Sequence, residues 1–291
     1  MDFGRLITAM VTPFDAEGSI DWQTAGKLID YLIDEQSSDS IVVSGTTGES
    51  PTLTEEEKLK LFAFAVEHAA GRCKIIAGTG SNDTAHTIHL TKSAQQCGVD
   101  GILLVAPYYN KPSQEGLYRH FKAIAESTTL PIILYNVEGR TGVNISVETT
   151  LRLAQLDNIV ATKDCASLEQ LTLIVSGAPD GFRVYSGDDA MTLPALAVGA
   201  YGIVSVASHI IGADMKALVN AYVEGNVAEA AKLNGKLFTI FKGLFNCPHP
   251  VPNPVAVKYA LSLKGYPVGG VRLPLIDANE AERAFLRDLI S

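Results

Sequence analysis

Lys163 closes a short apolar run, Ile159-Val160-Ala161-Thr162, that reads as a buried β-strand. A primary amine at the mouth of an apolar interior can lose its proton and attack a ketone, giving a Schiff base. Taken alone, the plainer reading is a lysine that marks a strand end and holds its ammonium in water. Its companions change that balance. A second apolar run leads into Gly45-Thr46-Thr47-Gly48-Glu49-Ser50, two hydroxyls between glycines that suit a carboxylate, although a Gly-rich turn explains them equally well. A fourth run ends in Pro107-Tyr108-Tyr109-Asn110-Lys111-Pro112, whose paired tyrosines fit either chemistry or a contact surface. A fifth ends in Tyr135-Asn136-Val137-Glu138-Gly139-Arg140-Thr141-Gly142. There Tyr135 can pass a proton and Arg140 can grip a carboxylate with two parallel N–H bonds, or stand as an ordinary surface arginine. A seventh ends in Ser186-Gly187-Asp188-Asp189, which also reads as a helix N-cap.

This set lacks the partners of other chemistries. His86 and His89 are three apart on an expected helix with no third ligand in view, so no metal is expected. Gly78-Thr79-Gly80 is too short for a dinucleotide fingerprint, and Asp188 and Asp189 would repel a phosphate. No organic cofactor is expected either. A net charge of -9 argues against nucleic acid and against an anionic membrane surface. The four cysteines Cys73, Cys97, Cys165 and Cys247 are scattered with no C-x-x-C pair. With no signal peptide in view, they indicate a reducing cytoplasm. Cys165, two residues beyond Lys163, reads as a small buried filler.

The elements that must hold these residues are legible as a repeat. Runs rich in Val, Ile and Leu fall at Leu6–Met10, Ser40–Ser44, Lys74–Gly78, Gly101–Ala106, Ile132–Val137, Ile159–Lys163, Arg183–Ser186 and Gly202–Val206. Their starts are spaced by roughly 20 to 35 residues, room for one helix and two loops each. Several are apolar at every position, as in a parallel sheet covered on both faces. Helix signals lie between them. Thr54-Glu55-Glu56-Glu57 has capping-box spacing, Ser146 opens another helix, and Leu28, Ile29, Leu32 and Ile33 share a face within 21–34. The stretch 191–213 carries no Asp, Glu, Lys or Arg, yet Pro194, Gly199, Gly202 and Gly212 divide it into a helix and a buried strand rather than a membrane span. The expected fold is therefore an α/β (β/α)8 TIM barrel over 1–224. A small C-terminal helical domain follows over 225–291, with helices at 226–245, 254–263 and 279–290. A parallel barrel carries its chemistry on the loops after its strands, where the residues above collect.

The motifs Gly-Thr-Thr-Gly-Glu-Ser, Pro-Tyr-Tyr-Asn, Tyr-Asn-Val…Arg-Thr-Gly and Ser-Gly-Asp-Asp jointly resemble the dihydrodipicolinate synthases. These belong to the pyruvate-dependent class I aldolases that include N-acetylneuraminate lyase. The resemblance runs from Thr12-Pro13-Phe14 to Pro252-Asn253-Pro254 and Val271-Arg272-Leu273-Pro274-Leu275. It implies condensation of pyruvate with aspartate semialdehyde, the first committed step of diaminopimelate and lysine biosynthesis. It implies the imine on Lys163, a proton relay of Thr46, Tyr135 and a neighbouring subunit's Tyr109, and the pyruvate carboxylate on Thr47. Arg140 would hold the second substrate's carboxylate, and Gly187 and Val204 would line the pocket through their backbones. The implied assembly is a homotetramer of tight dimers. Two departures stand out. Glu138 takes a place where many members have Pro, and Glu55 and His86 invert the His and Glu that lysine-inhibited bacterial members carry there, with Lys58 nearby. Weak or absent feedback by lysine is expected. The alternatives are a pyruvate aldolase acting on sugar acids and a non-catalytic barrel that binds a small acid. Arg140 with Tyr108 and Tyr109 favours a short carboxylated aldehyde over the first, and the presence of Lys163 and Tyr135 argues against the second.

Overall fold

The computed structural model describes residues 2–291. Among them, eight parallel strands close into a barrel in sequence order. They are β1 (Leu6–Ala9), β2 (Ser40–Val43), β3 (Lys74–Gly78), β4 (Gly101–Val105), β5 (Ile132–Asn136), β6 (Ile159–Asp164), β7 (Arg183–Ser186) and β8 (Gly202–Ser205). Closure is made by β1 against β8, Leu6 facing Ile203 and Thr8 facing Ser205. Every expected strand is present, with ends moved by one residue at most.

The strands are apolar on both faces because each face meets a different core. Ile7, Val42, Ile76, Leu103, Ile133, Tyr135, Ala161, Tyr185 and Val204 fill the barrel interior. Their chain neighbours Leu6, Ile41, Ile75, Ile102, Leu134 and Ile203 face the surrounding helices. This is the period-two alternation of a strand with both sides buried.

The helices of the outer layer are α1 (Trp22–Asp34), α2 (Glu55–Ala69), α3 (Thr84–Gln96), α4 (Gln114–Ala125), α5 (Glu138–Thr141), α6 (Val147–Leu153), α7 (Leu168–Gly177), α8 (Thr192–Ala197) and α9 (Ser208–Val223). Many begin at a side-chain cap. Glu57 N donates to Thr54 Oγ1 at 3.1 Å while Thr54 N donates to Glu57 Oε2 at 2.9 Å, which completes the capping box at the start of α2. Asp21, Ser113, Ser146 and Ser167 cap α1, α4, α6 and α7, each such cap contributing about 1 kcal/mol. The apolar stretch near 191–213 resolves into α8, β8 and the start of α9, and no described helix is long and apolar enough to cross a membrane.

Beyond the barrel, α10 (Val227–Gly243), α11 (Val255–Leu263) and α12 (Glu280–Ile290) follow one another. Their Leu237, Phe241, Ala260 and Leu286 are buried in the same apolar layer that separates barrel from helices. The C-terminal helices therefore share the barrel's core, which lets them brace its loops.

Candidate active site

Lys163 lies on β6 two residues beyond Ala161, so both point into the barrel. Its side chain is almost fully buried, 5% exposed, and its Nζ stands 4.1 Å from the centre of the Tyr135 ring. Among the described residues, no carboxylate comes within 4.0 Å of that amine. The adjacent Asp164 is turned the other way. Its Oδ2 accepts from Asn136 Nδ2 at 3.1 Å and Gln170 Nε2 at 2.9 Å, and its Oδ1 from Ala166 N at 2.7 Å. Burial pushes the Asp164 carboxyl above its usual range, against the pull of these bonds. The network ties the end of β5 to the end of β6 behind the lysine.

Strand register brings Tyr135 beside Lys163. Ile132 faces Ile159, but a shift after that pair sets Ile133 against Ala161 and Tyr135 against Lys163. Without the shift Tyr135 would oppose Thr162, whose side chain points outward. On the other flank Lys163 faces Tyr185. Gly187 leaves room for the lysine: a Cβ there would stand 2.7 Å from Lys163 Cε and 2.4 Å from Cys165 Sγ. Burial pushes the Cys165 thiol up to about 11, so it stays protonated, as a filler would. Val204 is 1% exposed within the interior cluster, and its backbone belongs to β8.

A cavity of about 370 Å³ opens at this end of the barrel. Thr46, Tyr135 and Arg140 all line it. The Arg140 side chain has no carboxylate within 4.0 Å among the described residues, and Glu138, exposed at the start of α5, does not pair with it. Its five N–H donors face no competing protein anion. Tyr109 is placed differently. It is 89% exposed, holds a left-handed backbone with φ of 74°, and does not line the cavity, whereas Tyr108 does.

The hydroxyl loop after β2 is held from several sides. Ser44 and Glu49 bracket it with φ of 56° and 55°, a conformation non-glycine residues adopt only where surroundings impose it. Thr12 Oγ1 donates to Gly48 O at 2.7 Å. Glu49 is buried, and its Oε1 lies 2.7 Å from Lys258 Nζ of α11, while its Oε2 accepts from Arg272 N at 2.9 Å. Burial pulls the Lys258 amine below its usual range, and the charge of Glu49 opposes that. Arg272 also donates to Thr52 O at 2.8 Å and pairs with Glu57. Thr47, 2% exposed, accepts from Asn253 Nδ2 at 2.9 Å. Sequence reading gave no structural role to Glu49, Lys258, Asn253 or Asp189. Glu49 meets Lys258, and Asn253 meets Thr47, across some two hundred residues, and no local pattern signals either contact. Asp189, 1% exposed, accepts from Val206 N and Ala207 N at 3.2 and 2.8 Å and so joins the ends of β7 and β8. Asp188, read as an N-cap, accepts from Ala190 N at 3.0 Å.

The cavity has an outer arm lined by Ser50, Lys58, His86 and Tyr108. Glu55 lies 2.8 Å from His89 and 3.8 Å from His86, so both histidines have a surface carboxylate for partner. Burial draws the Lys58 amine down, with Glu55 opposing. Among the described residues, no three His, Cys, Asp or Glu side chains converge on a metal-sized site.

Residues 2–291 match the profile of the Dihydrodipicolinate synthetase family. The 4-hydroxy-tetrahydrodipicolinate synthase of Symbiobacterium thermophilum is 55% identical over 290 residues, covering 99% of this chain and 97% of that one. A solved dihydrodipicolinate synthase of Bacillus anthracis shares 53% identity with a TM-score of 0.96 and covers 100% of this chain and 98% of that one. The enzyme of Cyanidioschyzon merolae, solved with lysine bound, shares 45% identity with a TM-score of 0.95, covering 99% and 97%.

Proposed function

This chain belongs to the Dihydrodipicolinate synthetase family, and on that premise we propose how its strand ends make 4-hydroxy-tetrahydrodipicolinate from pyruvate and L-aspartate 4-semialdehyde. The observation that carries the reading is the Lys163 amine, buried without an anionic partner and set over the ring of Tyr135, which itself lines a cavity together with Thr46 and Arg140. A primary amine so placed can attack the ketone of a substrate bound beside it.

Lys163 Nζ adds to the pyruvate ketone, and loss of water leaves an imine. The imine accepts the electron pair released when a methyl proton departs, giving an enamine. The enamine carbon attacks the aldehyde of the second substrate. That substrate's amine then closes on the imine carbon and displaces Lys163. Each step needs a group that both donates and accepts a proton, which hydroxyls do without fixed charge. Tyr135 and Thr46 fill this role in one chain. Tyr109, protruding and strained, completes the relay in a neighbouring subunit's site. Thr47 receives the pyruvate carboxylate, Arg140 that of the aldehyde, and the backbones of Gly187 and Val204 form the wall.

The exposure of Tyr109 supports an assembly in which chains meet around their sites, and we infer a homotetramer of dimers. The cytoplasm is the compartment that four scattered cysteines favour. In the outer arm, Lys58 and His86 stand where an incoming lysine would bring a positive charge. Steady-state assays should show little inhibition by lysine. Strong inhibition below millimolar concentration would contradict this.

A coupled assay tests the function. Turnover of aspartate semialdehyde with pyruvate should far exceed cleavage of N-acetylneuraminate or of ketodeoxy-sugar acids. The reverse order would make the chain a sugar-acid aldolase.

A further inference from the structure

Asn253 precedes α11 in the Pro-rich segment between α10 and α11 and is 7% exposed. Its only side-chain hydrogen bond among the described residues is the one from Nδ2 to Thr47 Oγ1, at 2.9 Å, while its Oδ1 is buried without a partner. A buried amide that leaves its acceptor unmatched is uncommon. Here only its donor is in use, and that donor is aimed at one atom. An amide N–H cannot accept, so Thr47 Oγ1 must take the acceptor role in this bond. The Thr47 hydroxyl proton is then free to point elsewhere, and no protein acceptor takes it among the described residues.

We propose that Asn253 is a positioning residue that presents Thr47 as a hydrogen-bond donor to the substrate carboxylate. The proposal rests on the reading that Thr47 holds that carboxylate. It gives the C-terminal segment a part in substrate affinity: a residue 206 positions away in sequence sets which way one hydroxyl faces. An acceptor in place of the amide would draw the Thr47 proton to itself and add charge where an anion must bind.

Steady-state kinetics and thermal melts of Asn253→Asp, Asn253→Ala, Thr47→Val and Thr47→Ser, with the doubles carrying Asn253→Ala, test this. Asn253→Asp should raise the pyruvate KM about tenfold or more, a hydrogen bond to a charged group being at stake, with kcat changed much less. Asn253→Ala should raise it several-fold, and it carries the test if the Asp variant does not fold. The effect of Asn253→Ala should persist beside Thr47→Ser, which keeps the hydroxyl, and vanish beside Thr47→Val. The proposal is overturned by a wild-type KM in Asn253→Asp, or by an Asn253→Ala effect that is the same with and without the Thr47 hydroxyl. A lowered melting temperature with unchanged KM in both Asn253 variants would assign Asn253 a structural tie and overturn it as well. A wild-type KM in Thr47→Val would instead overturn the role of Thr47 itself.

Discussion

At Gly187 an added methyl group would meet Lys163 Cε at 2.7 Å and Cys165 Sγ at 2.4 Å, both inside any tolerable contact. The lysine would have to move to admit it. A displacement of about 1 Å from the productive geometry can cost on the order of a hundredfold in rate. Gly187→Ala should therefore lower kcat/KM by at least about tenfold while the circular dichroism spectrum stays that of the wild type. Activity within twofold of wild type would show that the lysine has slack. Lys163, Thr46, Tyr135 and Arg140 were legible in the sequence because their types carry chemistry and each follows an apolar run. Asn253 was not, because an asparagine among prolines reads as a turn until the fold brings Thr47 to it.

Among the elements, β5 and β6 show what periodicity cannot give. Alternation assigns faces within a strand but says nothing of pairing, and one residue of shift between Ile132 and Ile133 decides that Lys163 rather than Thr162 stands beside Tyr135. The loop after β2 is likewise set by a remote element. Its Glu49 meets Lys258 of α11 with both side chains nearly inaccessible, 1% and 2% exposed. Removing one member of a buried pair strands the other charge, at a cost of about 3–5 kcal/mol, whereas replacing both is far milder. Lys258→Met should show that loss in urea denaturation, and Glu49→Gln with Lys258→Met should regain a large part. Equal stability of single and double variants would mean that the pair does not hold the loop.

For the whole molecule, the barrel was readable from eight apolar runs at even spacing, but its buried polar joints were not, since each depends on several strands closing together. Two of these joints make stability depend on pH. Burial pulls His209 and His120 down to about 4. His209 Nε2 accepts from Val11 N at 3.1 Å and its Nδ1 lies 2.8 Å from Val206 O, so a second ring proton would confront an N–H. A histidine with a depressed folded pKa binds its proton more readily when unfolded. Its contribution is intact above about 6.5 and falls as pH drops toward 4, by about 1.4 kcal/mol per pH unit for each ring. Asp189, pushed up to about 6, acts in the opposite sense between about 6 and 4, as does Asp164, also raised by burial, and together they offset part of this. Urea denaturation should show net stability falling from pH 6.5 to pH 4.5, with the His120 and His209 resonances still those of neutral rings at pH 5. Rings that titrate near 6.5 would refute the burial account.

Reduction with borohydride in the presence of pyruvate tests the central claim most directly. The peptide containing Lys163 should gain the mass of a reduced pyruvate adduct, and Lys163→Ala should gain none. A folded wild-type protein that yields no adduct, or yields it on another lysine, would contradict the mechanism.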